Sequence, residues 1–266
     1  MAETMMQGLL SSALTHALQG WHSDTRLYTL TTPASAPQLS AELMVEGFVL
    51  VDDLSQPYTL HLHCLSREVG LPLTQLYARP VTLVTRLADG GETRRSGYVS
   101  EAIANESDGG FARYTLVVRP WVALLGHTRQ SRTWQDKTLI DIVDDVLADH
   151  AGIAAWRWDD DVPAHVAQGL FARNQGQRAH CNQYRESDLD FIQRLLAEEG
   201  VAWRVEEDYA ASGGHRLVFF VRSHDQPQDD TSAQLGGIRF HRASSQEQSD
   251  AIQALGSLRQ LASTHT

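Results

Sequence analysis

The spacing of hydrophobic positions changes several times along the chain, and each change predicts an element. Met5, Met6, Leu9, Leu10, Ala13, Leu14, Ala17 and Leu18 recur at helical intervals until Gly20, which predicts an amphipathic N-terminal helix. From Arg26 to Arg119 the spacing is that of strands. Leu27 to Leu30 opens the series, and a Pro/Ser/Ala loop follows from Thr31 to Ser40. Leu43 to Val51 is β-branched and aromatic, with Gly47 placed for a bulge. Tyr58 to Cys64 alternates with period two, as a half-buried strand does. Pro72 opens a short helix reaching Tyr77. Val81 to Leu87 and Glu92 to Ala104 flank Asp89-Gly90-Gly91, and Asp108-Gly109-Gly110 leads into Phe111 to Arg119; these glycines supply the positive φ of tight hairpins. Short strands, tight turns and the interior glycine Gly97 predict a small, strongly curved antiparallel barrel.

After Pro120 the period lengthens. Leu139, Ile142, Val143, Val146 and Leu147 form one helical face, capped by Thr138 with Asp141 completing a capping box, and ended by Gly152. Trp156 and Trp158 suggest a strand before the turn Asp159-Asp160-Asp161. A second helix runs from Asp188 to Glu199: Ser187 caps it, Asp188 and Asp190 sit in its positive first turn, Leu189, Ile192, Leu195 and Leu196 face inward, and Gly200 follows its end. Val201 to Glu206 and Arg216 to Arg222 read as a hairpin around Ser212-Gly213-Gly214. Gln226 to Thr266 is Gln/Ser/Asp-rich with one strand, Ile238 to His241. The sum is an α+β chain dominated by strands.

Several segments, in order, resemble the VgrG/phage tail hub family. They are Gly97-Tyr98-Val99; Asp108 to Tyr114; Val118-Arg119-Pro120-Trp121 with Leu124-Leu125; Ser131-Arg132; Gln135-Asp136-Lys137; Asp149-His150; the long stretch Cys181 to Ile192 continued by Arg194 to Val201; and Ile238 to Arg242. The signature residues are Arg119, Pro120, Trp121, Tyr184, Glu186, Ser187, Asp188, Phe191, Arg194, Glu198 and Gly200. The resemblance implies an N-terminal extension over 1–25, a first hub β-barrel over 26–130, an α+β domain over 131–235 and the start of a second hub barrel over 236–266. It further implies a homotrimer that joins the hexameric Hcp tube to an OB-fold and needle, with baseplate components and effectors as partners. Ending at Thr266, before that second barrel is complete, the chain is expected to be a fragment or short member. On the same analogy it would assemble in the cytoplasm and leave through the type VI apparatus without a cleavable signal. A contractile prophage tail baseplate hub is the alternative, and a spike-associated cell-wall hydrolase a more distant one.

Composition narrows the function classes. With 22 Lys and Arg against 33 Asp and Glu, the net charge is −11. An acidic chain repels phosphate backbones and anionic bilayers, and Thr93-Arg94-Arg95 reads as a solvated strand end, so neither nucleic acid nor membrane insertion is expected. The first 20 residues contain Glu3 and no Lys or Arg, unlike a secretion signal. Cys64 and Cys181 make no disulfide framework and read as half-buried thiols in a reducing compartment.

The candidate chemistry is weighed against packing. Glu186, Asp188, Asp190, Glu198 and Glu199 would be the carboxylates of a glycosidase, but the first acids suit a helix start and the last lie roughly 15 Å further along the axis. His61 and His63 share a strand face with Cys64 opposite, short of the three or four ligands zinc takes. His180-Cys181 lacks an orienting third group, and Trp156 with Trp158 suits packing as well as a sugar. Trp121 is expected to be buried and Arg119 to pair with an acidic helix cap. The expectation is a scaffold: no catalytic residue, no cofactor and no metal.

Overall fold

The computed structural model describes residues 26–227 apart from 35, 40, 88, 89 and 106–109, together with the backbone of 239–240 and 254–255. The N-terminal helix predicted from Met5 to Leu18 lies outside the described residues.

The first half is one antiparallel sheet of β1 (Tyr28–Thr31), β2 (Met44–Val51), β3 (Thr59–Ser66), β4 (Pro80–Arg86), β5 (Glu92–Ala104) and β6 (Ala112–Arg119). Its order is β1-β4-β5-β6-β3-β2, so the first two strands are the edges. The alternation read in the sequence directs Leu60, Leu62 and Cys64 of β3, and Tyr114, Leu116 and Val118 of β6, into one core. The sheet curls until its edges approach: the Tyr28 and Phe48 rings meet edge to face at 5.3 Å. No hydrogen-bonded register joins β1 to β2 among the described residues, and a cleft of about 370 Å³ lined by both lies at the seam. The result is a curled half-barrel. The bulge expected at Gly47 is present, as a register slip between Val45 and Gly47. Pro72 to Tyr77 is a single 3-10 turn, Leu73–Gln75, rather than an α-helix; Pro72 precedes it in extended conformation.

Gly97 has a packing reason. A Cβ there would lie 2.6 Å from the Arg119 carbonyl oxygen and 2.8 Å from Val118 Cγ1. Because one obstacle is backbone, Gly97→Ala is expected to lower stability by about 2 kcal/mol, read as a shifted urea midpoint. An unchanged midpoint would show that the sheet yields there freely.

The second half surrounds another core. Pro120 turns the chain into a 3-10 segment, Trp121–His127, followed by β7 (Arg129–Trp134). Helix α1 (Leu139–Ala148) has the expected capping box, with the Thr138 hydroxyl accepting from the Asp141 N–H and the Asp141 carboxylate from the Thr138 N–H. It ends at Ala148, a turn earlier than Gly152 suggested. Next come β8 (Trp156–Trp158), the short helix α2 (Val162–Gln168), β9 (Cys181–Ser187), α3 (Asp188–Glu198), β10 (Ala202–Glu207) and β11 (His215–Phe220). β10, β11 and β8 form a three-stranded sheet in which β8 runs parallel to β11, while β7 and β9 pair antiparallel as a two-stranded ribbon. Trp121, Phe191, Leu195 and Phe219 sit at the centre of this core. Val205 packs against both cores.

Residues 222–266 form a separate unit, in which β12 (Arg239–Phe240) pairs in parallel with β13 (Ala254–Leu255). The rest of the predicted second-barrel start, including Ile238 and His241, falls outside the described residues. No helix among the described residues is long and apolar enough to cross a membrane.

Candidate functional site

The acidic groups singled out by the sequence converge on arginines. Ser187 closes β9 and caps α3: its hydroxyl accepts from the Asp190 N–H and donates to the Asp190 carboxylate. Asp188, the first residue of α3, is fully buried at 0% exposure. Its carboxylate receives Arg132 Nη2 at 3.1 and 3.3 Å, Gln183 Nε2 at 2.7 Å and His150 Nε2 at 3.1 Å. Arg132 and Gln183 face each other across the β7–β9 ribbon, and His150 stands just beyond α1. One carboxylate therefore ties three elements, and a buried charge needs such partners.

At the other end of α3, Arg178 donates to Glu198 at 2.8 Å and to Glu199 at 2.7 Å. Arg194 bridges Glu186 at 2.7 Å and Glu198 at 3.2 Å. Partial burial works against the Glu198 carboxylate, yet hydrogen bonds from Arg178 and Arg194 outweigh it and hold its carboxyl below the usual range. Gly200 follows with φ +69°, the left-handed turn that ends the helix.

A second polar cluster joins the two cores. Glu207, ending β10, accepts from the backbone N–H and hydroxyl of Ser96 on β5, and burial raises its carboxyl above the ordinary range. The Tyr58 hydroxyl donates to the Ser96 carbonyl; burial first, and then the Glu207 charge, raise that phenol. Ser55 in the β2–β3 turn accepts from the Trp203 N–H at 3.1 Å, and Gln193 of α3 donates to the Ser55 carbonyl at 3.2 Å. His215 is buried between the halves, with Nε2 accepting from the Trp121 N–H at 2.9 Å and Nδ1–H donating to the Gly213 carbonyl at 2.8 Å. Burial pulls its pKa down to about 4. The backbone must come close here: a Cβ at Gly213 would lie 2.7 Å from the Tyr98 ring, and one at Gly214 would lie 2.8 Å from the Ser96 hydroxyl.

The other candidates settle into packing. Trp121 is fully buried and Phe191 stacks on Trp134 at 5.2 Å. Trp156 and Trp158 both donate to Asp144 Oδ1, at 2.7 and 2.9 Å, and Trp158 stacks on Phe219. Cys64 and Cys181 are free and belong to different cores; both are buried rather than half-buried, and burial pushes the Cys64 thiol up to about 12. His61 and His63 lie on the solvent side of β3, and His180 is exposed. Among the described residues no cluster of three or more His, Cys, Asp or Glu could hold a metal ion.

One expectation about the signature residues needs correction. Arg119 does not reach a helix cap: it is exposed, and its Nε donates to Thr59 Oγ1 at 3.3 Å, because the next strand brings Arg132 to Asp188 instead. Tyr184, unlike Trp121 and Phe191, is 71% exposed. Sequence reasoning missed Arg132, Arg178, His150, Gln183, Glu207 and His215 as the groups that answer the acids and join the cores. An inward Arg–Gln pair gives no hydrophobic periodicity, so nothing local marks it.

The sequence matches the family profile described as phage tail baseplate hub (GPD) over residues 51–266. It is 30% identical over 177 residues to the type VI secretion system spike protein VgrG1b of Pseudomonas aeruginosa, covering 66% of this chain and 22% of that protein. To VgrG4b of the same organism it is 31% identical over 182 residues, covering 68% of this chain and 20% of that one. The chain thus spans less than a quarter of the length of these relatives. Among solved structures, the E. coli c3393 protein, a component of the type VI secretion system similar to the T4 bacteriophage tail proteins gp27 and gp5, aligns with TM-score 0.60 at 20% identity, over 75% of this chain and 51% of that one. A tail protein from Neisseria meningitidis MC58 aligns with TM-score 0.51 at 13% identity, over 76% and 53% of the two chains. At such identities the likeness concerns the fold, a strand-rich hub architecture.

Proposed function

The chain belongs to the phage tail baseplate hub family, and from that premise we propose that it is a rigid, non-enzymatic ring segment of a type VI secretion spike. The carrying observation is the junction between the halves: Glu207 on the buried Ser96, Trp203 on Ser55 and Gln193 on Ser55 fasten the curled sheet to the second core with polar contacts. Buried, satisfied polar networks specify a single arrangement, which suits a part that transmits force and holds register. The acids that a hydrolase would use are engaged by Arg132, Arg178 and Arg194, which supports a binding role for them within the fold.

In this reading the full-length protein is a homotrimer seated on the hexameric Hcp tube and carrying the needle above. Three subunits can meet six only if each presents two equivalent contact surfaces, so the segment described here would supply one of them. Baseplate components and effectors are the other partners, and the route is cytoplasmic assembly followed by injection. The spike relatives favour this over a prophage tail hub, although the family description covers both. The test is sedimentation velocity of the full-length protein at micromolar concentration, alone and with assembled Hcp rings. A trimer that co-sediments with the rings is the expected result; a strict monomer that ignores them would overturn the proposal.

A further inference from the structure

We propose that the bulge at Tyr184 and Arg185 is a docking point for a carboxylate-rich segment of another polypeptide, gripped by an exposed ring and an unengaged guanidinium. The register of β7 and β9 slips between Gln130 and Ser131, leaving Arg185 as the extra residue of a β-bulge. Its φ is +53°. This is the left-handed region that such a bulge ordinarily fills with glycine, and a Cβ is disfavoured there. Within the described fold nothing about the Arg185 side chain offsets that strain. Its guanidinium lies over the Tyr184 ring at 5.4 Å and meets no carboxylate among the described residues.

The contrast with its neighbours is what gives this weight. Arg132, Arg157, Arg178, Arg194, Arg204 and Arg216 each meet an acid. Exposed Arg79, Arg119 and Arg173 likewise meet no carboxylate among the described residues, but none of them sits at a positive φ as Arg185 does. Arg129, at the start of the facing strand, is exposed and also meets no carboxylate among the described residues. Strained, non-glycine backbone that projects side chains outward occurs at functional surfaces, where bulges re-aim the groups that make contact.

The chemistry selects the partner. A guanidinium lying over an aromatic ring still presents its edge N–H groups as a fork for a carboxylate, while the ring offers flat apolar area. Tyrosine and arginine are also the side chains that dominate binding energy at protein interfaces. The acidity of the whole chain repels extended polyanions such as nucleic acid or an anionic bilayer. An acidic peptide, with few and local charges, fits the pair. This inference does not depend on the hub reading.

The test is fluorescence anisotropy of a labelled decapeptide of alternating Glu and Ala, titrated with the 266-residue chain at low salt. Saturable binding that weakens with added NaCl is expected, and the same peptide with Gln for Glu should not bind. Tyr184→Ala and Arg185→Asn should each weaken binding by about tenfold or more. Asparagine tolerates the left-handed backbone, so Arg185→Asn, and likewise Arg185→Gly, should leave the melting temperature unchanged or higher. Absence of binding at low salt, or binding indifferent to both positions, would overturn the proposal. A lower melting temperature in both Arg185 variants would assign the guanidinium to the fold and overturn it too. Equal binding of heparin or of phosphatidylglycerol vesicles would show a general anion surface instead.

Discussion

Replacing Asp188 with alanine should lower the unfolding free energy by about 3–5 kcal/mol, the range for removing one partner of a buried ion pair. The size follows from what is left behind. Arg132, which also holds the exposed Asp149 at 2.7 Å, keeps its charge but loses its buried acceptor. Gln183 and His150 lose theirs as well. The vacated space lies where β7, β9, α3 and the end of α1 meet. Asp188→Asn should cost less, since an amide oxygen still accepts hydrogen bonds while the attraction to Arg132 is lost. Urea denaturation followed by tryptophan fluorescence measures both. A loss below about 1 kcal/mol for alanine, the scale of an exposed pair, would mean that the carboxylate does not tie these elements together.

The second large effect is on pH. His215 titrates near 4 in the folded protein because burial disfavours its charged form, against an ordinary value of 6.5. The unfolded chain therefore takes up this proton first. His215 gives its full stabilisation above pH 6.5, and that stabilisation drains away as the pH falls toward 4. At about 1.4 kcal/mol per pH unit the loss amounts to about 3 kcal/mol. The geometry agrees with this direction: Nε2 accepts from the Trp121 N–H, so a proton there would set two donors face to face. Glu207 acts in the opposite sense: its carboxyl is raised, so acidification through its own range favours the folded form. His215→Gln separates the two. The slope of unfolding free energy against pH between 4 and 6.5 should flatten in that variant relative to the parent, and equal slopes would remove His215 from the account.

Most of the fold could be read where apolar periodicity and capping chemistry act locally. The alternation of Leu60, Leu62 and Cys64 marked β3, and Thr138 with Asp141 marked the start of α1. Ser187 and Gly200 bounded α3 to within a residue. The β7–β9 ribbon escaped because two of its inward positions, Arg132 and Gln183, are polar and serve Asp188 rather than a hydrophobic core. α2 escaped because it is a single short helix behind an acidic run, with Pro163 near its start and no side-chain cap. For the candidate site the balance reverses. The acids were visible in the sequence, but the cations and hydrogen-bond partners that engage them come from residues up to 56 positions away, as Arg132 does for Asp188. Such pairings depend on register between distant strands, which local pattern does not carry. The same limit applies to Arg119 and Arg132, two arginines thirteen residues apart whose fates differ because one ends β6 and the other lies within the ribbon.

The seam between β1 and β2 carries a consequence for solubility. A strand with one side unpaired ordinarily recruits whatever chain drifts past, and proteins commonly blunt such borders with lysine, proline or a covering helix. Here curvature does part of that work, since bending the sheet turns each bare border toward the other, across a shared recess of about 370 Å³. A design that flattened the sheet, for instance by removing the Gly47 bulge, would shift the β2–β3 register beyond it, keep the other four strand pairings and yet release two adhesive margins into solution.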